Sequence, residues 1–185
     1  FEGKILHIDP KAMITILSGM GATFKGKMHF ERYIFDTIPR KDGRWIRLRS
    51  DGRHTTLTVK EISNDSISGT KEWEVEVSNL KGTFELLSKM GFKHRNHQEN
   101  LRFAYSLDDC DLCIDIWPKI EPYLEIESTS KKNVLAMARR LGFTNEQVRG
   151  DNTEKLYLAV GVDITKISEL TFRKTELRQY EALTD

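Results

Sequence analysis

The chain has 185 residues, of which 38% are hydrophobic and 31% charged, with 29 Lys and Arg against 28 Asp and Glu. This is a globular composition and excludes the disordered class. The balanced charge argues against a general nucleic-acid or membrane surface, and no apolar run approaches the ~18 residues that a membrane-spanning helix needs.

Phe1 to Leu6 alternates and predicts a strand, and Asp9-Pro10 supplies an N-cap and a first-turn proline for a helix reaching about Gly19. His29 to Phe35 reads as a strand, followed by a turn-rich stretch over 37–43. Arg44 to Arg49 alternates into Asp51-Gly52, a hairpin signal whose return strand is Thr55 to Lys60. After a polar loop at 63–69, Lys71 to Val77 alternates again, and Ser78-Asn79 caps a helix that ends near Met90-Gly91. Strands are predicted at about 99–107, 111–117 and 123–128, then a helix capped by Ser130 and closed by Gly142. Residues 143–185 read as short helical pieces, with a charged tail at 171–185 after a single domain over 1–170.

Residues two apart on a strand share a face. Arg47 and Arg49 therefore share one, as do Glu72, Glu74 and Glu76, and Glu125 and Glu127, with apolar residues opposite in each case. An ordinary half-exposed sheet gives the same alternation. What departs from it is the sorting by strand, with bases at Arg47, Arg49 and Lys60 and acids at 72–76 and 125–127. Helices at three places can cover the apolar face. The expectation is an α+β fold: a closed antiparallel eight-stranded β-barrel with its charged face inside and helices packed outside.

Buried charge on that scale needs a ligand. Carboxylates on neighbouring strands suit Mg²⁺ or Mn²⁺, and Arg and Lys suit phosphate oxygens. A triphosphate asks for both, and the sequence contains no phosphate-binding glycine loop. The five histidines form no convincing ligand cluster, and Trp73 and Trp117 read as packing residues. Cys110 and Cys113 lack the second pair that a structural zinc site needs, and they read as reduced thiols of a cytoplasmic protein.

These residues, in this order, resemble the CYTH superfamily, the triphosphate tunnel metalloenzymes. Glu2-Gly3-Lys4 resembles the end of its E-x-E-x-K signature, whose first glutamate would fall immediately before Phe1. Arg44 to Arg49 resembles its basic strand, Leu57 to Lys60 its lysine-bearing strand, and Glu72 to Glu76 its acidic strand. Arg102, Asp115 and Tyr123 to Glu127 match the C-terminal series. The resemblance spans about residues 1–160 and is nearest to class IV adenylyl cyclase-like and thiamine triphosphatase-like members.

The resemblance implies Glu2, Glu125 and Glu127 as ligands of Mg²⁺ or Mn²⁺. It implies Lys4, Arg47, Arg49, Lys60 and Arg102 as phosphate-binding residues, and catalytic roles for Lys4, Glu74 and Asp115. The implied activity is metal-dependent hydrolysis of a small-molecule triphosphate: inorganic, nucleoside or thiamine triphosphate. The alternatives are an adenylyl cyclase that forms cyclic AMP and pyrophosphate, and a non-catalytic nucleotide or polyphosphate binder. A homodimer is compatible with the sequence, while a membrane or nucleic-acid partner is not expected.

Overall fold

The computed structural model describes residues 1–62, 70–181 and 183, the side chains at 62, 70 and 181 excepted, so the polar loop expected at 63–69 lies outside the described residues. In chain order the elements are β1 (Glu2–Leu6), α1 (Pro10–Gly19), β2 (Thr23–Asp36), β3 (Arg44–Ser50), β4 (Thr55–Ile62) and β5 (Thr70–Val77). They continue with α2 (Leu80–Lys89), β6 (His94–Leu107), β7 (Cys110–Ile116), β8 (Tyr123–Ser128), α3 (Lys131–Arg140), α4 (Thr153–Ala159), β9 (Glu169–Leu170) and α5 (Lys174–Glu181).

The three main helices begin where their caps predict. Asp9 accepts from Ala12 N at 2.7 Å, Asn79 from Gly82 N at 2.6 Å and Ser130 from Asn133 N at 3.1 Å, each satisfying an otherwise orphaned backbone donor. The second and third stop at Gly91 and Gly142, whose φ values of 94° and 91° lie in the left-handed region that glycine enters without strain.

The strands pair in the order β1-β8-β7-β6-β2-β3-β4-β5, with the short β9 added in parallel beside β6. This corrects the expected closed eight-stranded barrel. Among the described residues the path begins at β1 and ends at β5 without returning on itself. The outer edge of β1 is taken instead by Arg149, whose backbone exchanges hydrogen bonds of 2.7 and 2.9 Å with Lys4. Alternation along a strand assigns side chains to faces, but the same alternation holds in an open sheet. Closure depends on tilt and stagger that no single strand encodes.

The chain divides into two compact units, Phe1–Met28 with Asn100–Ile164 and Phe172–Asp185, and His29–Glu99 with Thr165–Thr171. The first unit buries Ile5, Leu17, Leu101, Phe103, Leu112, Ile114, Leu124 and Ile126, along with Val134, Met137 and Ala138 of α3. Phe172, Leu177 and Tyr180, on and before α5, pack against the same cluster. The second unit buries Phe35, Ile46, Leu48 and Leu87, with Tyr33, Leu57, Val59 and Phe84 packed around them. In each unit these apolar side chains come from one strand parity, which leaves the charged parity on the opposite face.

Gly3 shows why the first strand can present Glu2 and Lys4 together. A Cβ at Gly3 would lie 2.5 Å from a Val148 methyl and 2.9 Å from a Val134 methyl, so only glycine lets β1 lie this close to α3. Two elements run longer than the sequence indicates. β2 starts at Thr23 and β6 at His94, because Lys25, Gly26 and Lys27, and then Arg95 to Glu99, lack the apolar alternation that marks a half-buried strand. Trp117 is buried as expected, whereas Trp73 is 55% exposed on β5.

Candidate functional site

In the first unit, antiparallel register places the charged residues in three rows across four strands. Arg102 lies beside Asp115, which lies beside Tyr123, which lies beside Leu6. The next row is Ala104, Cys113, Glu125 and Lys4, and the third is Ser106, Asp111, Glu127 and Glu2. Glu2, Lys4, Glu125, Glu127, Arg102 and Asp115 therefore share one face of one ladder.

Asp115 is fully buried, and Arg102 meets it in a forked pair, Nε to Oδ1 at 2.8 Å and Nη2 to Oδ2 at 2.5 Å. Asn100 donates to the same Oδ1 at 3.2 Å, and Arg102 Nη2 also reaches Glu125 Oε1 at 2.9 Å. Burial works against the charge on Arg102, but the Asp115 carboxylate, its hydrogen bonds and Glu125 outweigh it and hold Arg102 protonated well above its ordinary range. Lys4 is buried, with its ammonium on Glu2 and 3.2 Å from Glu125 Oε2. Burial pushes the Cys113 thiol up to about 12 against the pull of Arg102, so this cysteine is a neutral neighbour of Glu125 and not a nucleophile. Cys110 lies three residues away on the other face of β7, and both cysteines are free.

The outer row differs. Glu127 is exposed and the Glu2 side chain is 48% exposed, the two lie opposite each other, and Glu127 makes no ion pair among the described residues. Asp111, also exposed, adjoins Glu127 from the other side. Like charges placed opposite one another on a ladder repel, and a cation relieves them. The donor set of Glu2, Glu125, Glu127 and Asp111 is all oxygen, which fits a hard divalent cation. The side chains are not drawn together: among the described residues no three His, Cys, Asp or Glu side chains form a group able to hold a metal.

The second unit carries its own rows across β2 to β5. Arg32 lies beside Arg49, Thr56 and Glu76; Ile34 beside Arg47, Thr58 and Glu74; Asp36 beside Trp45, Lys60 and Glu72. Thr58 donates to Glu74 at 2.5 Å, Arg47 stands 3.4 Å from the same carboxylate, and Lys60 reaches Glu72 at 2.6 Å. Burial lowers the Lys60 pKa despite the Glu72 hydrogen bond, and the charges of Arg47 and Arg49 lower it further. On this face Arg47 Nε and Thr56 Oγ1 are buried without a hydrogen-bond partner among the described residues. A buried donor left unpaired in the free protein is ready for an acceptor brought by a ligand.

The Thr58 hydrogen bond, together with Arg47 and Arg49, holds the Glu74 carboxyl below its ordinary value of 4.5 against a smaller effect of burial. That contribution to stability is complete above about pH 4.5 and is lost as pH falls through the lower, folded value. Thermal melts from pH 6 downward should therefore show acid destabilisation that Glu74→Gln diminishes. Equal pH profiles for the two proteins would refute this.

The structure thus gathers Glu2, Lys4, Arg102, Asp115, Glu125 and Glu127 on one face of the first unit, and Arg47, Arg49, Lys60 and Glu74 on one face of the second. Two residues on these faces, Asp111 and Arg32, escape the sequence reading. Asp111 has the parity of Asp115 and could have been noticed by that sign. Arg32 sits in a strand whose aromatic residues suggest core, and its face is fixed only by its pairing with Arg49. Among the histidines, both His97 ring nitrogens meet carboxylates, 2.9 Å from Glu31 and 2.8 Å from Glu169, and the exposed His54 lies 3.0 Å from Glu76.

A protein of Methanocaldococcus jannaschii named "putative adenylate cyclase" is 26% identical over 132 residues, 69% of this chain and 75% of the relative. A solved structure from Pyrococcus horikoshii superposes with a TM-score of 0.67 at 24% identity, covering 84% of this chain and 99% of that one. A Hippeastrum protein, named "putative adenylyl cyclase" and reported to reveal a dominant triphosphatase activity, superposes with a TM-score of 0.57 at 15% identity, covering 87% of this chain and 95% of that one. At these identities the structural likeness establishes a shared fold. No helix among the described residues is long and apolar enough to cross a membrane. Residues 2–157 match the CYTH domain, and the chain belongs to that family.

Proposed function

We propose that this chain is a divalent-metal-dependent hydrolase of a small-molecule triphosphate, using Mg²⁺ or Mn²⁺. The observation that carries the reading is the basic face of the second unit, where Arg47, Arg49 and Lys60 stand together and the buried Arg47 Nε has no hydrogen-bond partner among the described residues. Such a face suits phosphate oxygens, which guanidinium groups bind in a forked geometry. The CYTH membership supports the same substrate class.

Phosphate-binding roles fall to Lys4 and Arg102 in the first unit and to Arg47, Arg49 and Lys60 in the second. Glu2, Glu125 and Glu127 would hold the metal, which when bound supplies charge neutralisation at the phosphates and a more acidic water. Asp115 keeps Arg102 charged and aimed. Glu74 restrains the Thr58 hydroxyl and Arg47, so its part is to orient phosphate-binding groups. In Lys4 the ammonium provides positive charge where negative charge develops on the departing phosphate oxygen. No nucleophilic side chain is required: water oxygen bonds to a phosphorus, the bridging P–O bond breaks, and the water proton passes to solvent or phosphate. Residues 1–170 would act as one functional domain, with 171–185 appended. The two free thiols suit a reducing cytoplasm.

A second reading is favoured by the name of the Methanocaldococcus jannaschii relative: an adenylyl cyclase, in which the ribose 3′-hydroxyl attacks the α-phosphorus and pyrophosphate leaves. Incubation with inorganic triphosphate, ATP or thiamine triphosphate and either Mg²⁺ or Mn²⁺ separates the readings. Orthophosphate without cyclic AMP is the expected product. Cyclic AMP and pyrophosphate from ATP would establish the cyclase. Tight triphosphate binding without turnover under either metal would leave a polyphosphate-binding module and overturn both enzymatic readings.

A further inference from the structure

We infer that Arg32 is a further phosphate-binding residue and that Phe30 is its positioning residue, the two forming with Arg49 a paired-guanidinium subsite for a terminal phosphoryl group. The inference rests on the triphosphate reading above and deepens it.

Arg32 and Arg49 are direct partners in the β2–β3 ladder, so their side chains leave the same face side by side. Like charges in that position cost stability, and a sheet that keeps them there has a use for the positive field. Phe30 has the same parity as Arg32, and its ring lies 5.7 Å from the Arg32 guanidinium carbon and 5.0 Å from that of Arg49. Both distances fall within the roughly 6 Å at which a ring face attracts a cation. One aromatic ring thus fixes two guanidinium groups that would otherwise swing apart. Fixing them beforehand reduces the rotamer entropy lost when an anion binds.

The position suits a chain of phosphates. Arg47 precedes Arg49 by two residues on the same face, a rise of roughly 7 Å along the strand, comparable to the length of a triphosphate. The Thr56 hydroxyl, buried and without a partner among the described residues, lies beside Arg49 in the same row. An anion spread along this face would meet the Arg32–Arg49 pair at one end and Arg47 further along. The lowered pKa of Lys60, to which Arg47 and Arg49 contribute after burial, reports the same positive field from that side.

The test is calorimetric binding of inorganic triphosphate to the full chain without metal, together with steady-state kinetics. Arg32→Ala should weaken binding about tenfold or more and raise KM with little change in kcat, because the lost contact holds ground state and transition state alike. Arg32→Lys should recover part of the loss, since it keeps the charge but not the fork. Phe30→Leu should weaken binding although both arginines remain, and Phe30→Tyr should restore it. If Arg49→Ala weakens binding while Arg32→Ala and Phe30→Leu match the parent, this inference is wrong and the triphosphate reading stands. If none of these variants changes binding, the triphosphate reading of the basic face falls with it. Should Arg32→Ala fail to fold, Arg32→Lys and Phe30→Leu decide the matter by the same comparison.

Discussion

Arg102→Ala is expected to be the most destabilising single change on the charged faces, lowering stability by about 3–5 kcal/mol. Asp115 has no exposed surface, and its two oxygens take the Arg102 fork and the Asn100 amide. Removing the guanidinium takes the forked donor away from a buried carboxylate, so the chain must either bury that charge without its arginine or protonate Asp115. A loss of that size corresponds to roughly 6–20 °C in Tm for a chain of 150–250 residues. The double variant Arg102→Ala with Asp115→Ala should recover much of the loss, because the cost comes from the stranded charge and not from the missing contact. Differential scanning calorimetry on the two single variants and the double measures the coupling. Additive losses would show that Arg102 and Asp115 do not stabilise the fold as a pair.

The same pair shows what a sequence can and cannot convey here. Arg102 and Asp115 are recognisable one at a time, by parity and by order along the chain. Their fork is not, because it depends on β6 and β7 pairing in the one register that sets residue 102 beside residue 115. Parity was sufficient for Arg47, Arg49, Lys60 and Glu74, which all reach one face of the second unit. It failed for Arg32, whose strand reads as core because Tyr33 and Phe35 dominate its composition. Helix starts were legible because Asp9, Asn79 and Ser130 act locally through hydrogen bonds to backbone three residues on. Closure of the sheet was not legible, since it is decided by whether distant edges meet, and the edge of β1 is met by Arg149.

Glu127→Gln should separate chemistry from folding more cleanly than any other change. Glu127 is exposed, forms no ion pair among the described residues and sits opposite Glu2 with Asp111 on its other flank. Glutamine keeps its size while removing the negative charge. The fold should tolerate this within about 0.5 kcal/mol, as exposed positions do, and relief of like-charge repulsion should shift the balance slightly toward stabilisation. On the proposed reading the substitution removes a metal ligand. Even outer partners of metal ligands cost 10–100-fold when changed, so metal affinity and metal-dependent phosphate release should fall by roughly 100-fold or more. Metal-free binding of inorganic triphosphate should be unchanged or tighter, since an acidic neighbour of the anion is gone. A titration of Mg²⁺ and Mn²⁺ against turnover, run beside metal-free calorimetry, tests all three statements. Unchanged metal dependence with unchanged turnover would remove Glu127 from the metal-binding set, and with it the assignment of the outer row of Glu2, Glu127 and Asp111 to a cation.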